Sequence, residues 1–590
     1  MRKNALISFL LFTISISAQN YGNGLPATDN LGRKLIIAEN ESTIRKDKFV
    51  GLFYWTWHTN FANKKPYDVS KILAERPEAI NNYNDPIWPK DEGYYFWGEP
   101  LFGYYRDTDN WVLRKHAEML AEAGVDAIFF DCTNGSFTWK ESYIELCKVF
   151  DQALKDGVNV PKIVFMLAFG PSPDSRKALG EIYNDLYKPG LYKDIWFYWK
   201  GKPLIMAYPE TLGDIDGDVE RTRENREIWD FFTFRPGQPV YNKGSQRADH
   251  WGWLEIFPQH GFVENENGSY EQVTVGVSQN WSKENGLSAM NSPNTFGRSY
   301  THRSGQVETA GAVNFGYNFQ EQWDRALELD PEFIFITGWN EWIAGRAREW
   351  MGQENAFPDQ YSQEKSRDIE PMKGGHGDNY YYQMINNIRR FKGTPAVEPD
   401  GRERKIKIDG GFDDWADAIQ YSAYKGSTIH RNSEGWKDVY YTNETGRNDI
   451  TNVRVAHDKK NVYFYVETAE PFSPASDNAW MRLFIDIDRD KDTGWEGYDF
   501  VLNRISPSNK IIIEKNLNNG WEWKKTGELD YAINGNKMEI CIPKKVLNIK
   551  DNIDLEFKWA DNMQENDITD FYLNGDAAPL GRFNYIYKVK

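Results

Sequence analysis

The chain has 590 residues and a formal net charge of −17, and 15% of its residues are aromatic, among them 23 Trp and 33 Tyr. That length exceeds one ordinary domain, and the acidic balance argues against nucleic acid and against an anionic membrane surface as partners. Three cysteines, Cys132, Cys147 and Cys541, exclude a disulfide scaffold, and no His/Cys cluster has zinc spacing.

In chain order, residues 1–18 read as a secretory signal peptide. Arg2 and Lys3 form its charged start, Ala5 to Ile16 its apolar stretch and Ser17-Ala18 its cleavage site. This predicts a secreted or periplasmic protein. The apolar run is too short to span a bilayer, and no later segment is long enough for an integral membrane helix. An N-terminal extension, 19–47, follows. From 48 to 392 apolar strands alternate with helical patterns. Strands are predicted at Phe49–Tyr54, Ala127–Phe130, Ile163–Leu167, Pro203–Ala207, Trp253–Phe257, Val273–Val277 and Phe333–Thr337. Asp107-Thr108-Asp109 opens a helix that Gly124 stops. Trp139, Tyr143, Leu146, Cys147, Phe150 and Leu154 form the apolar stripe of another, which makes Cys147 a core residue. Repeated strand–helix alternation implies an α/β fold with a parallel sheet, and a (β/α)8 TIM-type barrel fits it best. Seven strands are countable, and the eighth is expected in Asp194–Trp199.

A polar linker, 393–404, precedes residues 405–590, where short alternating runs between Asn/Asp/Gly turns predict an all-β sandwich. Asp486, Asp488, Asp490 and Asp492, with Asp499 nearby, concentrate hard oxygen ligands in one loop. That composition suits a structural calcium ion; no cofactor is expected for catalysis. The stretches IDGGFDDWADA (Ile408–Ala418) and FIDIDRDKDTGWEGYDFVLNR (Phe484–Arg504) resemble family 9-type carbohydrate-binding modules. The resemblance implies a sugar-binding domain; Trp436, Trp480, Trp495, Trp521 and Trp523 are candidate sugar platforms, with core or loop packing the expectation for most of them.

The stretch FIFITGWNEW, Phe333 to Trp342, carries the strongest functional signal. An apolar strand breaks at Gly338 and presents Trp339, Asn340, Glu341 and Trp342. Indole faces suit pyranose C–H groups, while the amide and carboxylate meet hydroxyls or a transferring proton. Active sites of such barrels gather at the carboxyl ends of strands. Those ends supply Trp55, Trp57 and His58, then Asp131, then Tyr208 and Glu210, Gln259 and His260, Gln279 and Asn280, and finally Asn340 and Glu341. The plainer alternatives are that Asp131 caps the following helix and that His58 is a satisfied loop histidine.

The segments VGLFYWTWH (Val50–His58), FWGEPLFGYY (Phe96–Tyr105), HAEMLAEAGVDAIFFDCTNG (His116–Gly135) and ITGWNEW (Ile336–Trp342) resemble glycoside hydrolase families 71 and 99, as does the closing helix GDNYYYQMINNIRRF (Gly377–Phe391). The resemblance implies a (β/α)8 barrel acting on a polysaccharide or its oligosaccharides. The family 99 pattern W-N-E-W-x-E places its first glutamate at Glu341 and its second at Ala344, where this chain has no carboxylate. Glycosidases use two carboxyl groups, about 5–5.5 Å apart for retention or about 6.5–9.5 Å for inversion. The partner of Glu341 is therefore expected to be Asp131 or Glu210, with Glu349 and Glu354 weaker candidates. Trp55, Trp57, Trp339 and Trp342 would wall the subsites, with His58, Tyr208, Asn280 and Asn340 contacting sugar. A second reading is a lyase or dehydratase on uronic-acid-containing oligosaccharides. It needs cations and a base, and Tyr300, His302 and Arg303 in the loop Arg298–Arg303 have the right types. A third is a glycan-binding protein without turnover.

Overall fold

A computed structural model describes residues 24–90, 93–213, 219–550 and 552–589, the side chains of 219–222 excepted. The signal-peptide segment lies outside the described residues. The first unit is built on β1 (Phe49–Tyr54), α1 (Asn110–Ala123), β2 (Ala127–Cys132), α2 (Lys140–Lys155), β3 (Lys162–Leu167), β4 (Lys202–Met206), β5 (Thr233–Phe234), β6 (Gly237–Gln238), β7 (Trp251–Gly252), β8 (Tyr270–Gly276), α3 (Tyr317–Leu329), β9 (Phe333–Thr337) and α4 (Asn379–Lys392). The ladders run β8–β9–β1–β2–β3–β4–β5, every neighbouring pair parallel, in one curled sheet. β6 and β7 form a separate parallel pair. Between β7 and β8 the backbone ladder is replaced by one side chain. Gln272 donates to the Gly252 carbonyl and accepts from the Gly252 amide, both at 2.9 Å.

Two expectations fail here. Asp194–Trp199 is not a barrel strand, because Tyr198–Trp199 folds back antiparallel on β4. The strands that sequence reading missed are the short β5 and β6. Trp253–Phe257 is not a strand either; the paired residues are Trp251 and Gly252, just before it.

Alternation along each strand sorts the core into two layers. Val50, Leu52, Ile128, Phe130, Ile163, Phe165, Ile334 and Ile336 face the helices. Phe53, Phe129, Val164, Met166, Leu204, Met206 and Phe335 fill the inside of the curl. At the amino-terminal end of the sheet an aromatic plug closes the interior. Phe49 meets Trp199 at 5.7 Å, and Phe333 meets Trp199 at 5.9 Å and Trp251 at 4.9 Å. Gly51 leaves room for this packing, since a Cβ there would lie 2.5 Å from Phe129 and from Phe333. The open end of the curl is therefore the carboxyl-terminal one.

The second unit has two antiparallel sheets. Ile450–His457, Asn461–Thr468 and Lys537–Pro543 form the centre of one; Arg482–Asp486, Ile511–Asn516 and Asp554–Asp561 belong to the other. This unit is not strung on a free linker. Its apolar core is contiguous with the helix-facing layer of the first unit, and Arg582 pairs with Asp378 at 2.7 Å where both are buried. The hairpin of strands Arg431–Glu434 and Tyr440–Asn443 reaches into the first unit. Arg431 binds Asp109, the N-cap of α1, at 2.7 Å. Trp436, fully buried, packs on Phe96 and Phe61, and the Lys437 amide donates to the Ala62 carbonyl at 2.8 Å.

Because the two units share one core, scanning calorimetry of the full chain is expected to show a single cooperative transition. Trp436→Ala should destabilise by about 3–5 kcal/mol, as for other buried tryptophans. Two separable transitions, with Trp436→Ala moving only the second, would contradict a shared core.

Candidate active site

The carboxyl end of β9 is fixed by a segment lying thirty residues further on. Arg367–Glu370 runs beside Gly338 and Trp339: the Ile369 amide donates to the Gly338 carbonyl at 3.2 Å, and the Glu370 amide to the Trp339 carbonyl at 3.0 Å. Gly338 is required for close approach, since a Cβ would come within 2.9 Å of the Phe53 ring. Glu370 then sits wholly buried and accepts from His116 Nε2 at 2.9 Å, the Tyr105 hydroxyl at 2.8 Å and Trp342 Nε1 at 2.5 Å. His116 Nδ1 meets the Tyr54 hydroxyl at 2.8 Å. Asn340 ties this end to β1, accepting from the Trp55 amide at 2.9 Å and donating to the Trp55 carbonyl at 3.2 Å.

These contacts turn Glu341 into a cleft of about 550 Å³ at the open end of the curl. Asp131, from the end of β2, enters the same cleft, as do Trp55, Trp57 and Asn280. Glu341 is 4% exposed and Asp131 2%. Arg367, equally buried, puts Nη2 at 3.1 and 3.2 Å from the two Glu341 oxygens and at 3.4 Å from Asp359. Burial pushes the Glu341 carboxyl up to about 8, against the opposing pull of Arg367, while Asp359 and Asp131 add to the rise. Burial also raises Asp131, to about 6, and a hydrogen bond from Thr133 holds the shift down. The two buried carboxyl groups of the cleft thus hold protons with unequal affinities, and the half-exposed Asp359 lines it as a third. Tyr241 shares a hydrogen bond with Asn280 beside Arg367, and burial pushes its hydroxyl up.

The cleft therefore unites five of the residues expected from sequence: Glu341, Asp131, Trp55, Trp57 and Asn280. The others fall elsewhere, each for a visible reason. Trp339 is buried among His116 and Tyr381 on the helix side of the sheet. Trp342 stacks on Trp97 at 4.8 Å and donates to Glu370. Neither walls a subsite, and Asn340 holds Trp55 rather than a ligand. His58 is a buried histidine outside the cleft lining, its Nδ1 bonded to Asp107 at 2.9 Å. Tyr208 donates to the Gly237 carbonyl, and Glu210 pairs with Arg247 at a half-exposed turn. Glu349 and Glu354 face each other on an exposed hairpin. The loop of the lyase reading also lies outside. His302 and Arg303 are exposed on a small hairpin whose amides bind Glu321, and Tyr300 stacks on Phe296 at 4.1 Å.

Sequence reading missed Arg367, Asp359, Tyr241, Trp253, Phe61 and Tyr94, all of which line the cleft. The only signal was the dense charge of Ser366-Arg367-Asp368-Ile369-Glu370 in an otherwise polar loop.

In the second unit Asp486, Asp488 and Asp499 bring ligand oxygens within 4.8 Å of one another. Asp490 and Asp492 do not join them; the Asp490 carboxylate accepts the Asp492 amide at 3.0 Å, and the Asp492 backbone carbonyl accepts from the Asn519 side chain at 2.6 Å. The candidate platform tryptophans pack as core or loop residues, as expected for most of them. Trp436 is buried against the first unit, Trp480 and Trp495 are buried, and Trp521 packs on Trp495 at 4.6 Å and Trp523 at 5.6 Å.

No family model and no curated protein matches this chain. Among solved structures, it aligns with the GH99 endo-alpha-mannosidase from Bacteroides thetaiotaomicron. In complex with bis-tris-propane, that enzyme shows 17% identity over 59% of this chain and 98% of its own, with a TM-score of 0.32. A second structure of it gives 16% identity over 60% and 99%, with a TM-score of 0.33. Likeness at those scores carries no argument about this chain.

The network around Glu370 and the pair at Glu341 respond differently to substitution. Glu370→Ala leaves three buried donors without an acceptor and should cost at least about 3–5 kcal/mol in urea unfolding. Glu341→Gln removes a poorly solvated carboxyl while Arg367 keeps Asp359, so its stability should stay within about 1 kcal/mol of wild type. Equal losses in the two variants would contradict the division between framework and cleft.

Proposed function

We propose that the protein is a carbohydrate-active hydrolase that cleaves a glycosidic bond with Glu341 as general acid and Asp131 as its ionised partner. The observation that carries the reading is the pair of buried carboxyl groups in one aromatic-walled cleft, with proton affinities set apart by their surroundings. Glu341 holds its proton at neutral pH and delivers it to the departing glycosidic oxygen. The carboxylate left behind faces Arg367 at 3.1 and 3.2 Å, which stabilises the charge as it forms. Asp131 ionises first and acts on the sugar carbon or on the attacking water. Trp55 and Trp57 offer indole surface to sugar rings. The resemblance of the WNEW strand end to families 71 and 99 supports the same reading. A closed (β/α)8 barrel, with Gln272 bridging β7 and β8, is the architecture it implies.

The test is a screen of purified protein against neutral and uronic-acid polysaccharides, reading new reducing ends and near-ultraviolet absorbance together. Reducing ends without absorbance are expected. Absorbance would establish elimination, and retention without product would establish a binder. Glu341→Gln and Asp131→Asn should each lower kcat by at least about a hundredfold; near wild-type turnover in either rules out its assigned role. For kcat/KM, activity should rise as Asp131 loses its proton through about 6 and fall as Glu341 loses its own through about 8. The result is a bell, whose alkaline limb Glu341→Gln removes together with activity.

We also propose a structural calcium ion at Asp486, Asp488 and Asp499. Their oxygens converge, and none of the three pairs with Lys or Arg among the described residues. Burial and neighbouring Glu556 raise Asp486 to about 8, a strain that a bound cation would relieve. Calcium added after chelation should raise Tm by several degrees in wild type and not in Asp488→Ala. The same rise in both would exclude the site.

A further inference from the structure

The loop after β2 carries Asp131, Thr133 and Asn134 into the cleft. Beyond the cleft it leaves Phe137 61% exposed. Phe137 is the outermost of four aromatic rings in successive contact, the outer pair stacked and the two inner pairs tilted by 39° and 37°. Its ring lies 5.2 Å from Trp139 with an interplanar angle of 18°. Trp139 lies 5.0 Å from Trp57, and Trp57 lies 4.2 Å from Trp55. The two inner members are walls of the cleft, and Trp57 Nε1 donates to the Asp131 carbonyl at 3.1 Å. Trp139 is held at φ 55 and ψ 45, left-handed backbone that a tryptophan rarely adopts. The row of rings is thus kept at a local conformational cost, and it ends on an uncovered ring face.

We propose that the open face of Phe137 is an outer sugar subsite, occupied by pyranose units of the same glycan chain whose reacting bond lies between Asp131 and Glu341. The proposal rests on the reading of the cleft as a sugar site. It deepens that reading by assigning the substrate to long chains rather than to disaccharides. The C–H face of a pyranose covers an aromatic ring well, while Thr133 and Asn134, on the same loop and lining the cleft, carry hydroxyl and amide groups that suit the sugar's hydroxyls. Continuity of the row of rings with the cleft wall favours a chain running outward over docking of an unrelated partner.

Binding separates the two readings when turnover is removed. Full-length Glu341→Gln and Glu341→Gln/Phe137→Ala are compared by affinity electrophoresis in laminarin, pullulan, xylan, yeast mannan, polygalacturonate and alginate. Calorimetry then follows with the disaccharide and octasaccharide of whichever polymer retards the protein. Phe137→Ala should weaken octasaccharide binding by about tenfold, the loss of one stacking contact, and leave disaccharide binding unchanged. Phe137→Tyr should restore the octasaccharide affinity. Equal octasaccharide affinities in the two proteins would overturn the outer subsite while leaving the cleft assignment intact. A matching loss for the disaccharide would also overturn it, placing the effect in the cleft through Trp57. Retardation by none of the six polymers would overturn the subsite and the hydrolase reading together. A dimer that Phe137→Ala dissociates would assign the ring to self-association instead.

Discussion

The pairing of Arg367–Glu370 with Gly338 and Trp339 is the constraint on which the site depends. One side of that short segment delivers Glu370 to three buried donors; the other delivers Arg367 to Glu341. Between them, Asp368 takes Trp97 Nε1 at 2.5 Å, and its backbone carbonyl accepts from Arg298 at 2.7 Å. Charges this deep are costly alone and tolerable only when each has its partner in place. Their worth is therefore positional. They leave Glu341 one orientation, and they leave the indoles of Trp339 and Trp342 no route to the cleft.

That network explains what was legible in the sequence and what was not. β1 and β9 could be read to the residue because short unbroken apolar runs fit a strand buried on both faces. The ends of α1 were legible too, from Asp109 as cap and Gly124 in left-handed backbone. Glu341 and Asp131 followed from the rule that strand ends carry chemistry. The same rule over-reached at Trp339, Asn340, Trp342 and His58, because residue type does not reveal which face of a strand end a side chain takes. It could not reach Arg367, whose place beside Glu341 is made by tertiary pairing across a long polar loop. β5 and β6 were missed because two-residue strands carry no periodicity, and Gln272 does by side chain what a longer strand would do by backbone.

The second unit shows the limit of composition as a guide. Its tryptophans suggested sugar platforms, yet Trp436 is wedged between Phe61 and Phe96. Phe61 stacks on Tyr94 at 4.0 Å, and both line the cleft. The hairpin 431–443 therefore backs a wall of the site in the first unit.

Ala344 is the remaining question, because the pattern that resembles this strand end has a glutamate there. Residues Ile343–Gly345 form a strand paired with Tyr94–Phe96, with Ala344 opposite Tyr95. Successive side chains on a strand point to opposite faces. Ile343 and Gly345 line the cleft, whereas Ala344 is wholly buried and does not. A glutamate at 344 in this backbone would be driven into the core, away from Glu341 and any substrate. The missing carboxylate is thus no simple loss from an otherwise intact site. The local strand pairing has turned position 344 inward, and the second buried acid, Asp131, enters the cleft from another strand, at the end of β2.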